Sequence, residues 1–396
     1  MEKDGVNMFI LDKPYVSKFL EDTIIKLGMP VLKNDAVEEL GLSDNINLLD
    51  EKEFIDEIKK KGENLIYCNS ENPINWITNN LSFTELPEKI NVFKDKFKFR
   101  ELIKNMYPDF YYKEVSFKDL KDIDLDEMKF PFVIKPSIGF FSMGVHKVNS
   151  VTEWEDVIVE LEREIFNMKE KYPIEVIDTN KFIIEENIEG EEFAVDLYYD
   201  LEGRPIILNI LKHLFSSGED VKDRVYITSK EIMENYHRLF LNYLTKIGEL
   251  IDLKGFPMHI EFRVDEVGNI VPIEVNPMRF AGWCTTDVAY YAYGINVYEY
   301  FLKQKEPDWQ EVLRDKEEIY SIVIADVADD IDVNQIEEVY YDKFYSYFER
   351  PLDLRKIDYQ KHGVFGFLFA KTSYNNYQEL ENILASDLKE YIRLKE

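Results

Sequence analysis

A single hairpin late in the chain is the tightest constraint this sequence carries. Pro257–Val264 and Ile270–Val275 read as two strands joined by the turn Asp265-Glu266-Val267-Gly268-Asn269. Strand side chains alternate faces, so His259, Glu261 and Arg263 share one face, as do Glu274 and Asn276. A four-residue loop, 266–269, would pair Asp265 with Ile270 and set Glu261 opposite Glu274. Like charges directly across a sheet repel, so the arrangement asks for a compensating cation. Two carboxylates and an amide oxygen suit hard, oxygen-binding Mg²⁺, which also takes phosphate oxygens and water. A solvated hairpin face would explain the charges too. It would not explain why Pro272-Ile273-Glu274-Val275-Asn276-Pro277 ends in Asn-Pro.

Two further constellations precede the hairpin. Phe130-Pro131-Phe132-Val133-Ile134-Lys135-Pro136 is an apolar strand that delivers one lysine to its end. The turn after it, Ser137–Gly144, exposes backbone N–H groups of the kind that cradle phosphate. It also holds Phe140-Phe141, and a strand-end lysine alone is usually a surface residue. In Lys181–Phe193 an apolar strand reaches Glu185-Glu186, turns at Gly190 and resumes with Glu192. That segment can offer backbone groups to an adenine edge and a carboxylate to ribose hydroxyls; an acidic turn is the plainer reading.

In this order, strand–Lys–Gly loop, then Glu-Glu-x-Ile-x-Gly-x-Glu, then Glu…Glu-x-Asn resembles the ATP-grasp superfamily. Within it the chain looks most similar to carboxylate–amine ligases and carbamoyl-phosphate-synthase-like proteins. The resemblance covers 92–302 closely. It implies an α/β and α+β protein: an N-terminal α/β (pre-ATP-grasp) domain at 1–91, an ATP-grasp domain at 92–306 with lobes including 130–190 and 191–306, and a small C-terminal α/β domain at 307–396. It also implies ATP and Mg²⁺ as cofactors, with Mn²⁺ as an alternative ion.

Carried over residue by residue, Lys96 in Asp95-Lys96 and Lys135 resemble the two phosphate-binding lysines. Ser142, Met143 and Gly144 fall in the phosphate loop. Glu185 resembles the acceptor of the adenine amino group, with the backbone of Glu186 and Ile188 completing that edge. Glu192 resembles the ribose carboxylate. Glu261, Glu274 and Asn276 match the magnesium ligands. Arg279 resembles an arginine that stabilises the acyl phosphate, one residue later than in the commoner Asn-Pro-Arg version. His259 stands where some relatives carry Arg. Arg224, in Lys222-Asp223-Arg224, is a candidate clasp for a substrate carboxylate, and Ser137–Gly144 and His213–Thr228 are candidate shielding loops.

The implied reaction is ATP-dependent activation of a carboxylate as an acyl phosphate, with release of ADP and phosphate and attack by an amine or other nucleophile. Alternatives are a carbamoyl-phosphate-synthase-like or carboxylase-like enzyme acting on bicarbonate or carbamate, and a non-catalytic ATP-binding regulatory protein. The partners are then small-molecule carboxylate and amine substrates. Composition fits: Lys+Arg is 48 and Asp+Glu 78, a net charge of −30. Such a surface disfavours nucleic acid and anionic membranes, so bound ATP needs local cations. No run is long and apolar enough for a membrane span, and two cysteines, Cys68 and Cys284, fit a reducing cytoplasm. A homodimer is the base-rate expectation for a soluble oligomer.

Periodicity places the other elements. Met8–Leu11, Pro30–Leu32 and Leu65–Cys68 read as strands of a parallel layer, with helices at Tyr15–Leu27, Glu51–Lys61 and Pro73–Leu81. Helices are expected at Val92–Met106, Trp154–Glu170, Ser229–Leu250 and Val288–Leu302. The tail should hold strands Tyr320–Asp326 and Val364–Ala370 and a helix Tyr377–Leu388.

Overall fold

The computed structural model describes residues 7–60, 64–139, 144–169, 180–216 and 223–395. The chain forms two compact units that interleave in sequence. One comprises Met1–Gly190, Tyr198–Pro205 and Leu244–Phe280; the other comprises Glu191–Leu197, Ile206–Tyr243 and Ala281–Glu396.

The first unit opens with the expected parallel layer. Strands Asn7–Ile10, Pro30–Leu32 and Leu65–Cys68 are joined by Asn47–Leu49, a short strand that periodicity does not show. All pairings are parallel. Phe9, Ile10, Val31, Ile66 and Tyr67 are buried, as befits parallel strands covered on both faces.

A second sheet, also in this unit, is antiparallel. Its order is Tyr112–Ser116, Lys181–Glu186, Phe132–Pro136, His146–Val148. Phe132, Ile134, Phe182 and Ile184 alternate along two neighbouring strands and pack with Trp154, Ile158, Leu161 and Ile165, the apolar stripe of the helix Trp154–Lys169. That spacing is the helical repeat of one face. Strand alternation therefore turns Lys135 and Glu185 to the opposite face of the sheet. The register pairs Lys135 with Ile183 and Val133 with Glu185, which makes Lys135 and Glu185 diagonal neighbours.

The hairpin forms as Phe256–Val264 and Ile270–Pro277. Glu261 does lie opposite Glu274, but the register near the turn differs by one. Val264, not Asp265, pairs with Ile270, and a bulge between Glu261 and Phe262 restores the offset. The cause is local. Asp265 N–H bonds the Asn269 carbonyl at 3.1 Å, and the Asp265 carboxylate accepts from Val267 and Asn269 amides. That closes a tighter turn, with Gly268 at φ 88°.

Gly190 touches this hairpin. It has φ 122°, and a Cβ there would meet the Val264 carbonyl oxygen at 2.4 Å. Gly190→Ala is expected to destabilise the protein by ~2–4 kcal/mol, read as a lower urea midpoint with unchanged slope.

Two expected helices are each broken. Val92–Met106 is Leu86–Lys94 followed by Lys96–Ile103. Between them Asp95 is extended, and its carboxylate caps the second helix by accepting from Phe97 and Lys98 amides. Val288–Leu302 is Val288–Tyr293 and Val297–Leu302, separated by Gly294 in the left-handed region. Helix propensity carried the periodic pattern across both breaks; capping ended it.

The second unit holds antiparallel strands in the order Pro205–Leu214, Val225–Ser229, Glu318–Asp326, Val364–Ser373, Pro351–Lys356. The loop expected from His213 to Thr228 is shorter than that: His213 pairs with Tyr226 and Lys212 with Ile227. The β-branched and aromatic run Val225-Tyr226-Ile227-Thr228 explains the strand. Residues 217–222 lie outside the described residues. No helix among the described residues is long and apolar enough to cross a membrane.

Candidate active site

The first unit gathers most of the expected site residues. Lys96 lies one residue past the Asp95 cap, so its backbone is fixed; its N–H also bonds the Ser137 carbonyl at 2.8 Å. Its Nζ is 2.9 Å from Glu274 and 3.3 Å from the Gly139 carbonyl, at the root of the Gly loop. Lys135, at the end of its strand, contacts Glu185. Burial would push both glutamic acids up, but the neighbouring cations outweigh it. Lys96 and Lys94 hold the half-buried Glu274 at about 2, and Arg100 and Lys135 hold Glu185 at about 2. Burial pulls Lys135 below its ordinary value, against the pull of Glu185.

Asn276 is buried and lies across the hairpin from His259. His259 Nε2 is 3.5 Å from a Glu261 carboxylate oxygen. Among the described residues no three His, Cys, Asp or Glu side chains converge as a metal cluster. The donor set here is different in kind. It is two facing carboxylates, one held ionised, and an amide on the same strand two residues on. Those are hard oxygen donors, and they fit Mg²⁺ rather than a soft or nitrogen-preferring ion.

Arg279 donates to the Phe280 carbonyl at 3.0 Å and to Glu71 at 2.8 Å. Glu71 also takes the buried Lys94, whose Nζ is 3.5 Å from the Gly139 carbonyl. Burial drives Lys94 well below its ordinary value, and Lys96 and Arg279 add to the effect. Met278, between Asn276-Pro277 and Arg279, has φ 68°. A non-glycine residue held there marks a backbone that its surroundings over-determine.

Glu71, Lys94 and Arg100 are the residues that sequence reading missed. Lys94 flanks the Asp95-Lys96 pair. Arg100 stands four residues after Lys96, hence on the same helix face, and two buried cations at that spacing are a usable signal. Glu71 has no such signal, being 208 residues from its partner Arg279.

The remaining expected residues fall as follows. The amide of Glu186 bonds the Tyr111 carbonyl at 3.0 Å, and Ile188 is half-buried in the loop after the strand. Gly144 has φ 70°; Ser142 and Met143 lie outside the described residues. Glu192 and Arg224 belong to the second unit. Glu192 bonds His213 Nδ1 at 2.9 Å, and that imidazole stacks on Tyr226 with centroids 4.3 Å apart. Arg224 is buried and grips both oxygens of Asp326 at 2.9 and 3.0 Å; it also donates to the Leu384 and Ser386 carbonyls. The carboxylate-binding fork expected of Arg224 is thus filled from within the chain. Both cysteines are buried, and burial pushes their thiols up, so each is a packing residue rather than a nucleophile.

Residues 128–287 match the family model of an ATP-grasp domain. No curated protein sequence matches the chain. Among solved structures the fold is similar to that of an L-amino acid ligase from Bacillus licheniformis, at 18% identity and TM-score 0.68 over 99% of both chains. It is similar to N5-carboxyaminoimidazole ribonucleotide synthetase from Thermotoga maritima, at 17% identity and TM-score 0.65 over 99% of this chain and 100% of the other. It is also similar to a biotin carboxylase from Campylobacter jejuni, at 14% identity and TM-score 0.62 over 98% and 92%.

Proposed function

We propose, from the match of residues 128–287 to an ATP-grasp domain, that the chain is an ADP-forming carbon–nitrogen ligase that activates a substrate carboxylate as an acyl phosphate for attack by an amine. One observation carries the reading. Lys96 and Lys135 are both buried, and each is paired with a carboxylate, Glu274 and Glu185, while Glu261, Asn276 and Arg279 belong to the same unit. In a chain of net charge −30, such buried cations are what a polyphosphate requires.

In this reading Lys96 and Lys135 exchange their carboxylate partners for phosphate oxygens. Glu261, Glu274 and Asn276 would hold Mg²⁺, which when bound neutralises charge on the phosphates. A carboxylate oxygen of the substrate attacks the γ-phosphorus, and the bond to the ADP oxygen breaks. Arg279 stabilises the resulting acyl phosphate. The amine then attacks the acyl carbon, loses a proton, and phosphate leaves. Transfers of this kind rest on positioning and electrostatics. Glu186 and Ile188 would face adenine, Glu192 ribose, and Gly144 with Ser142 and Met143 the phosphates; His259 orients Glu261. Arg224 would serve a substrate only by exchanging Asp326 for it. The segments 1–91, 92–306 and 307–396 act as N-terminal layer, ATP-grasp domain and C-terminal domain.

The test is ADP and phosphate release from Mg·ATP across amino acids and small carboxylic acids, singly and in pairs, with bicarbonate as a separate arm. Turnover that requires an acid and an amine together supports the reading. Turnover driven by bicarbonate alone would replace it with the carboxylase reading, and ATP binding without turnover in any arm would favour a regulatory role.

A further inference from the structure

Arg100 is not among the residues expected from sequence, yet it is more buried than Lys94, Lys96 or Lys135. It is 2% exposed, as is Glu185, and Lys135 is 4% exposed. Glu185 divides its two oxygens. Oε2 accepts from Arg100 Nε at 2.9 Å, and Oε1 contacts Lys135 Nζ. The guanidinium lies over the Phe110 ring, 4.4 Å from its centroid. Its Nη1 and Nη2 are buried and meet no hydrogen-bond partner among the described residues. Orphan donors on a buried charge are costly, and these two are available to a second arrangement that uses them.

We propose that Arg100 is a positioning residue for the nucleotide, acting through Glu185: when phosphate oxygens draw Lys135 away, Arg100 turns its one-point contact into a two-point fork on Glu185. This rests on the reading above, in which Lys135 takes phosphate. The geometry supplies what the exchange needs. Lys135 can leave only if Glu185 keeps a counter-ion, because an uncompensated buried carboxylate is heavily penalised. Nε and an Nη of one guanidinium match the two oxygens of one carboxylate, and the Nη atoms are the donors now idle. A lysine at position 100 would bring the charge without the fork. No bond is made or broken; one hydrogen-bond partner replaces another.

The experiment is equilibrium binding of Mg·ADP and of a non-hydrolysable ATP analogue by calorimetry, with thermal melts of every variant. Arg100→Lys and Arg100→Met should each weaken nucleotide binding by about tenfold or more, the worth of one charge-assisted hydrogen bond. The double variant Arg100→Met/Glu185→Gln removes the carboxylate that retains Lys135 and keeps the local charge balanced. It should bind within about threefold of Glu185→Gln alone, because without that carboxylate Arg100 has nothing to hold. A merely structural role for Arg100 predicts that Arg100→Met costs the same tenfold in the Glu185→Gln background as in the parent. That result, or an Arg100→Lys variant that binds like the parent, overturns the proposal. Failure of the parent itself to bind either nucleotide would instead overturn the ATP reading on which it rests.

Discussion

Glu274→Ala should abolish Mg·ATP-dependent turnover, lowering kcat by about 10³ or more. Three losses coincide at this side chain. The variant removes one of the two facing carboxylates of the hairpin. It removes the partner of Lys96, 2.9 Å away. It also removes a carboxyl that its neighbouring lysines hold down at about 2, so that at neutral pH the hairpin face drops a full negative charge. The fold should survive, because Glu274 is only half-buried and Ala fits a strand whose pairing is made by backbone. Glu274→Gln separates the effects: it keeps the size and an oxygen donor but not the charge. It should retain some nucleotide binding and recover little turnover. Steady-state kinetics beside a circular-dichroism melt check both. A Glu274→Ala enzyme within tenfold of the parent would remove the hairpin from the chemistry.

Glu185→Leu should cost ~3–5 kcal/mol of stability. It leaves Arg100 and Lys135 buried side by side without a counter-charge. Lys135→Met should cost far less, ~1 kcal/mol, because Arg100 still compensates Glu185. The asymmetry is the informative part, and urea midpoints of the two variants measure it. Acid behaviour follows the same group. The folded carboxyl sits at about 2, below its usual 4.5. A depressed carboxyl contributes stability that is present above about 4.5 and lost as pH falls towards 2. Glu185→Leu should therefore flatten the fall in stability between those two values as well as lower the plateau.

The parts of this molecule that could be read from sequence are those governed by short-range rules. Apolar runs placed Lys135 and Glu185 at the ends of two strands, and the hairpin spacing placed Glu261 across from Glu274. The register at the turn was not readable, since it depends on Asp265 capturing the Val267 and Asn269 amides and on a compensating bulge. The break at Asp95 was readable in principle, because Asp before Lys-Phe-Lys is a helix cap; an unbroken apolar pattern on either side concealed it. The charge network was the least legible. Glu71 meets Arg279 across 208 residues and Arg100 meets Glu185 across 85, and no local pattern encodes such distant pairs. Arg224 shows the converse. Its sequence context suggested a free anion clasp, and only the folded chain reveals Asp326 already in the fork.

In the proposed reaction ATP activates a carboxylate by phosphorylating it, and oxygen tracing tests this step. A turnover-supporting acid labelled with ¹⁸O in its carboxylate is incubated with Mg·ATP, the amine and the enzyme, and the released phosphate is analysed by mass spectrometry. An acyl phosphate must pass one carboxylate oxygen to inorganic phosphate, so one ¹⁸O in the phosphate, with ADP as the other product, is the predicted result. Unlabelled phosphate, or AMP and pyrophosphate in place of ADP, would rule out an acyl phosphate intermediate.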